Sequence, residues 1–242
     1  MHLFTFTKRI LERIGIRAYR TSNLPRNIDL FHDLKHISFQ PKVIFDVGAN
    51  VGVFAQSAIS AFPQASIHSF EPVSTTFASL KQVANRHSNL QIHNLAFGAE
   101  PGESIIHLRE KSVWNSLLPF NNDTRNSSGK SETIQISTID SFCADNHILR
   151  IDLLKTDTEG FDTKVLAGAD QMFRELRVGA VFTEVTFLKN DLTHTPFLEI
   201  FEFLGAHGFI LYGIYEFAGD FETMHANALF IHNPRQSKSI YQ

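Results

Sequence analysis

The segment Lys42 to Phe54, KVIFDVGANVGVF, leaves this chain few ways to fold. Val43, Ile44, Phe45 and Val47 form a short apolar run rich in β-branched residues, which predicts a buried strand. Asp46 lies at its end, Gly48, Asn50 and Gly52 follow at alternate positions, and Val53 onward reads as a helix. A strand that passes through a glycine-rich turn into a helix brings backbone close to a ligand, because glycine has no Cβ. The acidic residue disfavours a phosphate but suits a cation or a hydroxyl. The turn therefore points to a nucleoside carrying a positive sulfonium, S-adenosylmethionine (SAM), ahead of a dinucleotide. The dinucleotide pattern G-x-G-x-x-G is not met, since Asn50 and Val53 stand where its second and third glycines belong. No Gly-Lys-Ser/Thr follows, so a phosphate-binding P-loop is absent as well.

Strand and helix patterns alternate after this point. Residues 43–47 predict strand one and 53–61 its helix; 66–70 predict strand two and 75–86 its helix; 90–95 predict strand three. Residues 104–108 and 133–137 read as two extra strands around a polar, mobile loop at 121–131, rich in Asn, Ser and Gly. A short helix is expected at 139–145, strand four at 151–156, its helix at 163–176 and strand five at 178–185. A helix at 197–207 and strands at 209–215 and 226–232 complete the chain. Ahead of the alternation, 3–20 suits an amphipathic helix and 28–36 a short helical piece. The expected fold is α/β, a mostly parallel seven-stranded sheet with helices on both faces. Ligands in such sheets sit at the carboxyl ends of the strands, where the strand order reverses.

Composition narrows the classes of function. At 242 residues the chain suits one α/β domain with a sizeable core. A net charge of -3 offers no general attraction to nucleic acid, so none is expected as a partner. Cys143 is alone, which rules out an intrachain disulfide and makes a cytoplasmic location the expectation. No run of about 18 apolar residues predicts a transmembrane helix. The first twenty residues are basic but lack the continuous apolar core and small-residue cleavage site of a secretory signal.

Four clusters at strand ends carry the candidate chemistry. The first is Asp46, Gly48, Asn50 and Gly52. In the second, Phe70-Glu71-Pro72, a carboxylate about 20 residues beyond the glycine turn can accept both hydroxyls of a ribose. In the third, Asn94-Leu95-Ala96-Phe97-Gly98, Asn94 and Ala96 are candidates to lie beside an adenine, and a plain turn explains Gly98 equally well. The fourth is Lys155-Thr156-Asp157-Thr158-Glu159-Gly160, joined at the same rim by Glu184. Lys155 and Asp157 share a face by strand alternation. Charges are seldom buried unpaired, so this grouping reads as an occupied polar pocket or as an ion pair that only holds loops together.

These segments together resemble the FkbM-type methyltransferases, a family of SAM-dependent enzymes. The matching stretches are FDVGANVG (45–52), FEP (70–72), NLAFG (94–98), STIDSF (137–142), LLKTDTEGFDTKVLAGA (153–169) and TEV (183–185). The resemblance implies a class I methyltransferase (Rossmann-like) fold on 41–242; residues 1–40, read from their own pattern as an N-terminal helical extension, carry no family signal. It implies methylation of a hydroxyl on a sugar, glycan or secondary metabolite. By motif, Asp46, Gly48, Asn50, Gly52 and Glu71 would contact SAM, while Asp157 and Glu159 would line the reaction side. Thr158 stands where the family more often has Val or Ile, and Asp162 where it often has Glu. Competing readings are a catalytically silent nucleoside-binding protein and an NAD-dependent oxidoreductase.

Methyl transfer from a sulfonium is an in-line displacement, and alignment of the reacting atoms can supply roughly 7–11 kcal/mol of the barrier reduction. A hydroxyl is a poor nucleophile, so a proton acceptor is expected. Asp157, Glu159, Lys155 and Glu184 are the expected catalytic set, with His194 and His225 as alternative bases. No metal is expected; Asp157, Glu159 and Glu184 are the residues that would offer magnesium a hard oxygen site. The N-terminal helix is read as a cap over the acceptor cleft, with peripheral membrane contact through Lys8, Arg9, Arg13, Arg17 and Arg20 as the alternative.

Overall fold

The computed structural model describes residues 15, 16, 19, 24–109, 112, 115–117, 127–189, 191, 193–219 and 224–233. Helix α1 (Leu30–His36) precedes strand β1 (Val43–Val47), helix α2 (Val53–Ala61), β2 (Ser66–Phe70), α3 (Ser74–Ala84), β3 (Leu90–His93) and β4 (Ala96–Phe97). Then come β5 (Gly102–Arg109), β6 (Ser127–Ser137), α4 (Ile139–Asp145), β7 (Ile151–Thr156), α5 (Asp162–Ala167) and α6 (Asp170–Arg174). The chain continues through β8 (Val178–Thr186), α7 (Phe197–Ala206), β9 (Phe209–Ala218) and β10 (His225–His232). Among the described residues no helix is long and apolar enough to cross a membrane. The expected helix at 3–20 falls almost entirely outside the described residues.

Seven strands form the central sheet in the order β3-β2-β1-β7-β8-β10-β9. The first five are mutually parallel; β10 runs antiparallel to both β8 and β9. The order reverses between β1 and β7, which places the ligand crevice at their carboxyl ends. Side-chain alternation feeds two apolar layers. Phe45, Leu154 and Val181 pack on one face with α4 to α7, through Phe142, Val165, Phe173 and Leu204. Ile44, Leu153 and Ala180 pack on the other with Leu30 and Leu34 of α1 and Ala55 and Ala58 of α2. α1 is pinned through buried Asp33, which accepts hydrogen bonds from Tyr215 Oη (2.9 Å) and from the Asn27 amide (2.7 Å).

Three local expectations need correction. The predicted helix over 163–176 is two helices. α5 stops at Gly168, and α6 restarts because the Asp140 carboxylate, from α4, accepts the amides of Gln171 (2.9 Å) and Met172 (3.0 Å). Strand three ends at His93, not at residue 95; the Asn94 side chain donates to Glu71 O and Pro72 O and turns the chain into a second sheet, β4-β6-β5. The polar stretch read as a loop to residue 131 is strand from Ser127, because antiparallel pairing with β5 satisfies its backbone whatever its side chains. The rest of that expected loop, 121–126, lies outside the described residues.

Candidate active site

The turn after β1 is held open by its backbone. Gly48, Asn50 and Gly52 all adopt left-handed conformations, with φ of 73°, 48° and 87°. A Cβ on Gly48 would lie 1.9 Å from the carbonyl oxygen of Asp157, so the turn abuts the loop after β7 directly. The amides of Gly48 and Ala49 both donate to Phe70 O, tying the turn across the end of β2 (3.1 and 2.9 Å). Gly52 caps α2 with no side-chain partner, leaving the positive end of that helix beside the crevice.

A cavity of about 850 Å³ opens over these strand ends. Its lining runs from Gly48, Asn50, Glu71 and Ala96 to Lys155, Asp157, Glu159 and Glu184. Most of the sequence-predicted site residues thus meet in one space. Three do not line it. Asp46 is fully buried below the turn, Gly52 packs against Leu80, and Asn94 holds the Glu71-Pro72 segment from behind. These three shape the site rather than face it.

Lys155 links the two halves of the rim. Its ammonium lies 3.1 Å from Asp46 Oδ1 and 3.6 Å from Asp157 Oδ2, and donates to Gly48 O at 2.9 Å. Burial works against the charge, but Asp46 and Asp157 more than offset that and raise its pKa above the ordinary lysine value. Asp46 Oδ1 has no well-aligned hydrogen bond, so the lysine charge is its compensation; Oδ2 accepts Ser69 Oγ at 3.2 Å. Lys155 is committed to holding the glycine turn and the β7 loop together, which is a positioning role.

Glu71 accepts the amides of Asn50 (3.0 Å) and Val73 (2.9 Å), so it braces the same turn while facing the cavity. Burial pushes its carboxyl up to about 7, partly offset by those two amides and by Lys155. On the opposite rim, burial first, and then repulsion from Asp157, Glu159 and Asp162, push the Glu184 carboxyl above the ordinary carboxylate range. The Glu159 carbonyl is tied by Ser116 Oγ at 2.9 Å, and Asn50 Oδ1 accepts Ser112 Oγ at 3.1 Å. Residues of the segment after β5 therefore reach both sides of the rim.

Sequence reasoning missed the brace beneath His194. Asp191 Oδ2 lies 2.7 Å from His194 Nδ1, and Asp191 Oδ1 accepts the Thr193 amide at 2.8 Å. Burial opposes the Asp191 charge, yet the hydrogen bonds from His194 and Thr193 hold its pKa well below the ordinary carboxylate range. The spacing Asp-x-Thr-His was the available signal, since Asp folds back on amides two and three residues ahead. Leu117, on the apolar side of the cavity with Phe54, Phe97 and Phe161, also escaped the strand-end reading because it lies after β5, remote in sequence from all four clusters.

This geometry can be compared with known proteins. The sequence matches the Methyltransferase FkbM domain over residues 46–211. The chain belongs to the FkbM methyltransferase family. Its relatives include Methyltransferase 1 of Beauveria bassiana (strain ARSEF 2860), 26% identical over 165 residues that cover 61% of this chain and 66% of that protein. A shorter match, 47% identical over 45 residues, covers 19% of this chain and 17% of the 31-O-demethyl-FK506 methyltransferase FkbM of Streptomyces tacrolimicus. Both alignments span less than two thirds of the relative's length. Among solved structures, the Burkholderia thailandensis 1,6-didemethyltoxoflavin-N1-methyltransferase aligns with a TM-score of 0.45 at 10% identity, covering 83% of this chain and 74% of that one. The FkbM domain here is a SAM-dependent methyltransferase domain with the class I arrangement of strands. The glycine turn and Glu71 lie at one end of the crevice at the strand ends, and the acidic rim lies across from them.

Proposed function

We propose that this FkbM domain transfers the SAM methyl group to a hydroxyl oxygen of a small acceptor, a sugar or secondary metabolite. The observation that carries the reading is the single cavity joining the glycine turn and Glu71 to the carboxylates of Asp157, Glu159 and Glu184. Gly48, Asn50, Glu71 and Ala96 hold the donor, and Asp46, Gly52, Asn94 and Lys155 hold those residues in place. A positive sulfonium is drawn toward the acidic rim, and the same rim accepts hydrogen bonds from an alcohol. The name of the Streptomyces relative, 31-O-demethyl-FK506 methyltransferase, supports oxygen as the methylated atom. In the transfer the acceptor oxygen forms a bond to the methyl carbon as the carbon–sulfur bond breaks. S-adenosylhomocysteine leaves as a neutral thioether, and the hydroxyl proton passes to Asp157 and on to water. On this reading the methyltransferase domain is 41–242, and Ile28 to Phe31, from the stretch ahead of it, line the same cavity.

The test is transfer of labelled methyl from SAM into a panel of hydroxylated glycans and polyketides. Product carrying the label on oxygen supports the reading; label on nitrogen or carbon alone rejects it. Asp157→Asn is expected to lower kcat about 10²- to 10⁴-fold with little change in SAM affinity, the range for losing a proton acceptor. Unchanged kcat would remove Asp157 from the chemistry.

Glu71→Ala is expected to weaken SAM binding about ten- to a hundredfold, as loss of hydrogen bonds to a charged group predicts. The ionised carboxylate accepts from both ribose hydroxyls, whereas the protonated acid has fewer and weaker acceptor sites to offer them. SAM affinity should therefore fall as pH drops through about 7, and Glu71→Ala should flatten that dependence. In the ligand-free domain the sign reverses: the folded carboxyl holds its proton more tightly than the unfolded one, so stability decreases as pH rises from 4.5 to about 7. Calorimetric titration across this range reads the first effect and thermal unfolding the second.

A further inference from the structure

Across the cavity from the glycine turn, three side chains from separate elements converge. Glu184 comes from β8 and His225 from the start of β10, where pairing sets His225 opposite Thr186 and Asn227 opposite Glu184. His194 comes from the segment between β8 and α7. Glu184 Oε2 is 3.9 Å from His194 Nε2, and Glu184 Oε1 is 3.9 Å from His225 Nε2. One donor atom from each residue falls within 4.8 Å of the others. We infer that Glu184, His194 and His225 form a binding site for a divalent transition-metal ion.

Four features distinguish this cluster from a chance grouping of polar side chains. First, His194 is oriented from behind. Its Nδ1 meets Asp191 Oδ2 at 2.7 Å, so that nitrogen carries the proton and the lone pair of Nε2 faces Glu184. A carboxylate holding the outer nitrogen is the usual support of a metal-bound imidazole. Second, the segment bearing His194 is fixed. Thr195 O accepts the Thr186 amide at 2.8 Å, and Thr195 Oγ1 donates to the fully buried Asp162 at 3.1 Å. Third, Glu184 Oε2 is buried and accepts no hydrogen bond among the described residues, although a buried carboxylate oxygen ordinarily has a donor. An ion between it and His194 would satisfy it. Fourth, the His194 and His225 rings stack at 4.3 Å and 11°, with both Nε2 atoms directed to the same carboxylate.

The donor set defines the class of ion. Two imidazoles and one carboxylate suit zinc, manganese, iron(II) or cobalt better than magnesium, which takes oxygen ligands. Metal–ligand bonds of about 2.0–2.2 Å put neighbouring donor atoms roughly 3.0–3.4 Å apart. Each 3.9 Å separation therefore closes by less than an ångström on loading, and the stacked rings tilt apart at their far edges. Three protein ligands leave coordination positions open for an outside oxygen. The neighbouring carboxylates of Asp157 and Glu159 also approach Glu184, but Asp157 is already served by Lys155 at 3.6 Å. The ion's task rests on the methyl-transfer reading: it would hold the acceptor oxygen on the rim shared with Asp157. The existence of the site does not rest on that reading.

The test measures metal binding without SAM or acceptor. The full chain is stripped with chelator, and Zn²⁺, Mn²⁺ and Co²⁺ are titrated calorimetrically, with the visible spectrum of Co²⁺ reporting nitrogen ligation. One ion per chain is expected. His225→Ala, at the more exposed histidine, should weaken binding at least tenfold while thermal unfolding and SAM affinity stay near the parent's. Asp191→Asn should weaken it about 10- to 100-fold through His194. His194→Ala removes a buried ring, so His225→Ala decides the matter if that variant fails to fold. The proposal is overturned if the stripped parent takes up none of the three ions below about 100 μM, or if His225→Ala binds them as tightly as the parent. Metal uptake without methyl transfer to any hydroxyl would leave the site standing and reject the O-methylation. Methyl transfer undiminished in metal-free protein, with no uptake, would do the reverse.

Discussion

Lys155→Met is expected to cost about 3–5 kcal/mol of folding stability and to abolish measurable SAM binding. The Lys155 side chain is 7% exposed and that of Asp46 is wholly enclosed, so the methionine would strand a buried carboxylate without its counter-charge. The loss far exceeds that of a surface pair because water cannot take the place of the lysine. Lys155 Nζ also donates to Gly48 O at 2.9 Å, so the glycine turn loses its tie to β7 in the same step. Urea unfolding of Lys155→Met, Asp46→Asn and the double variant separates the two effects. Asp46→Asn/Lys155→Met should recover a large part of the stability, since no charge is then left buried, while SAM binding stays impaired. If the double variant were no more stable than Lys155→Met, the cost would lie in packing rather than in the stranded charge.

Gly48→Ala should eliminate SAM binding as well, by a steric route. Its φ of 73° costs an L-residue roughly 1–2 kcal/mol. The added carbon would lie 1.9 Å from Asp157 O and 2.9 Å from Asp157 C, and both are backbone atoms that no rotamer change can move aside. Relief requires the β1 turn and the β7 loop to separate, which pulls the proposed donor site away from the acidic rim. Thermal unfolding should fall by several degrees, and titration with S-adenosylhomocysteine should show at least a hundredfold loss. Gly102→Ala is the control, because no atom lies within 4 Å of a Cβ there and its φ is not in the left-handed range. Near-parental affinity in Gly48→Ala would mean that the turn tolerates displacement and that its closeness to β7 is incidental.

The two variants fail for different reasons, and the difference marks what can be read from a linear sequence. Gly48, Asn50 and Glu71 were legible because strand, turn and helix follow one another locally and glycine at alternate positions has few other uses. The strands of the central sheet were legible for the same reason: apolar runs of about five residues between turns leave little choice. Asp46 was read as a SAM contact, whereas the structure buries it below the turn, paired with Lys155. Its position at a strand end was visible, whereas its pairing with Lys155, 109 positions later, depends on β1 lying beside β7 in register. Asn94 behaves similarly, holding Glu71 from behind through bonds to backbone that no local pattern announces.

By itself, then, the sequence determined the parallel sheet, the glycine turn after β1 and the acidic residues at the strand ends, because each depends on neighbours a few residues apart. Tertiary structure alone decided which of those charges face the cavity and which brace it. It also decided that helix α6 restarts on a carboxylate borrowed from α4, and that Glu184, His194 and His225 meet. These outcomes depend on strand order and on antiparallel insertion of β10 beside β8, and such pairings are set by burial of whole faces rather than by any short stretch of residues.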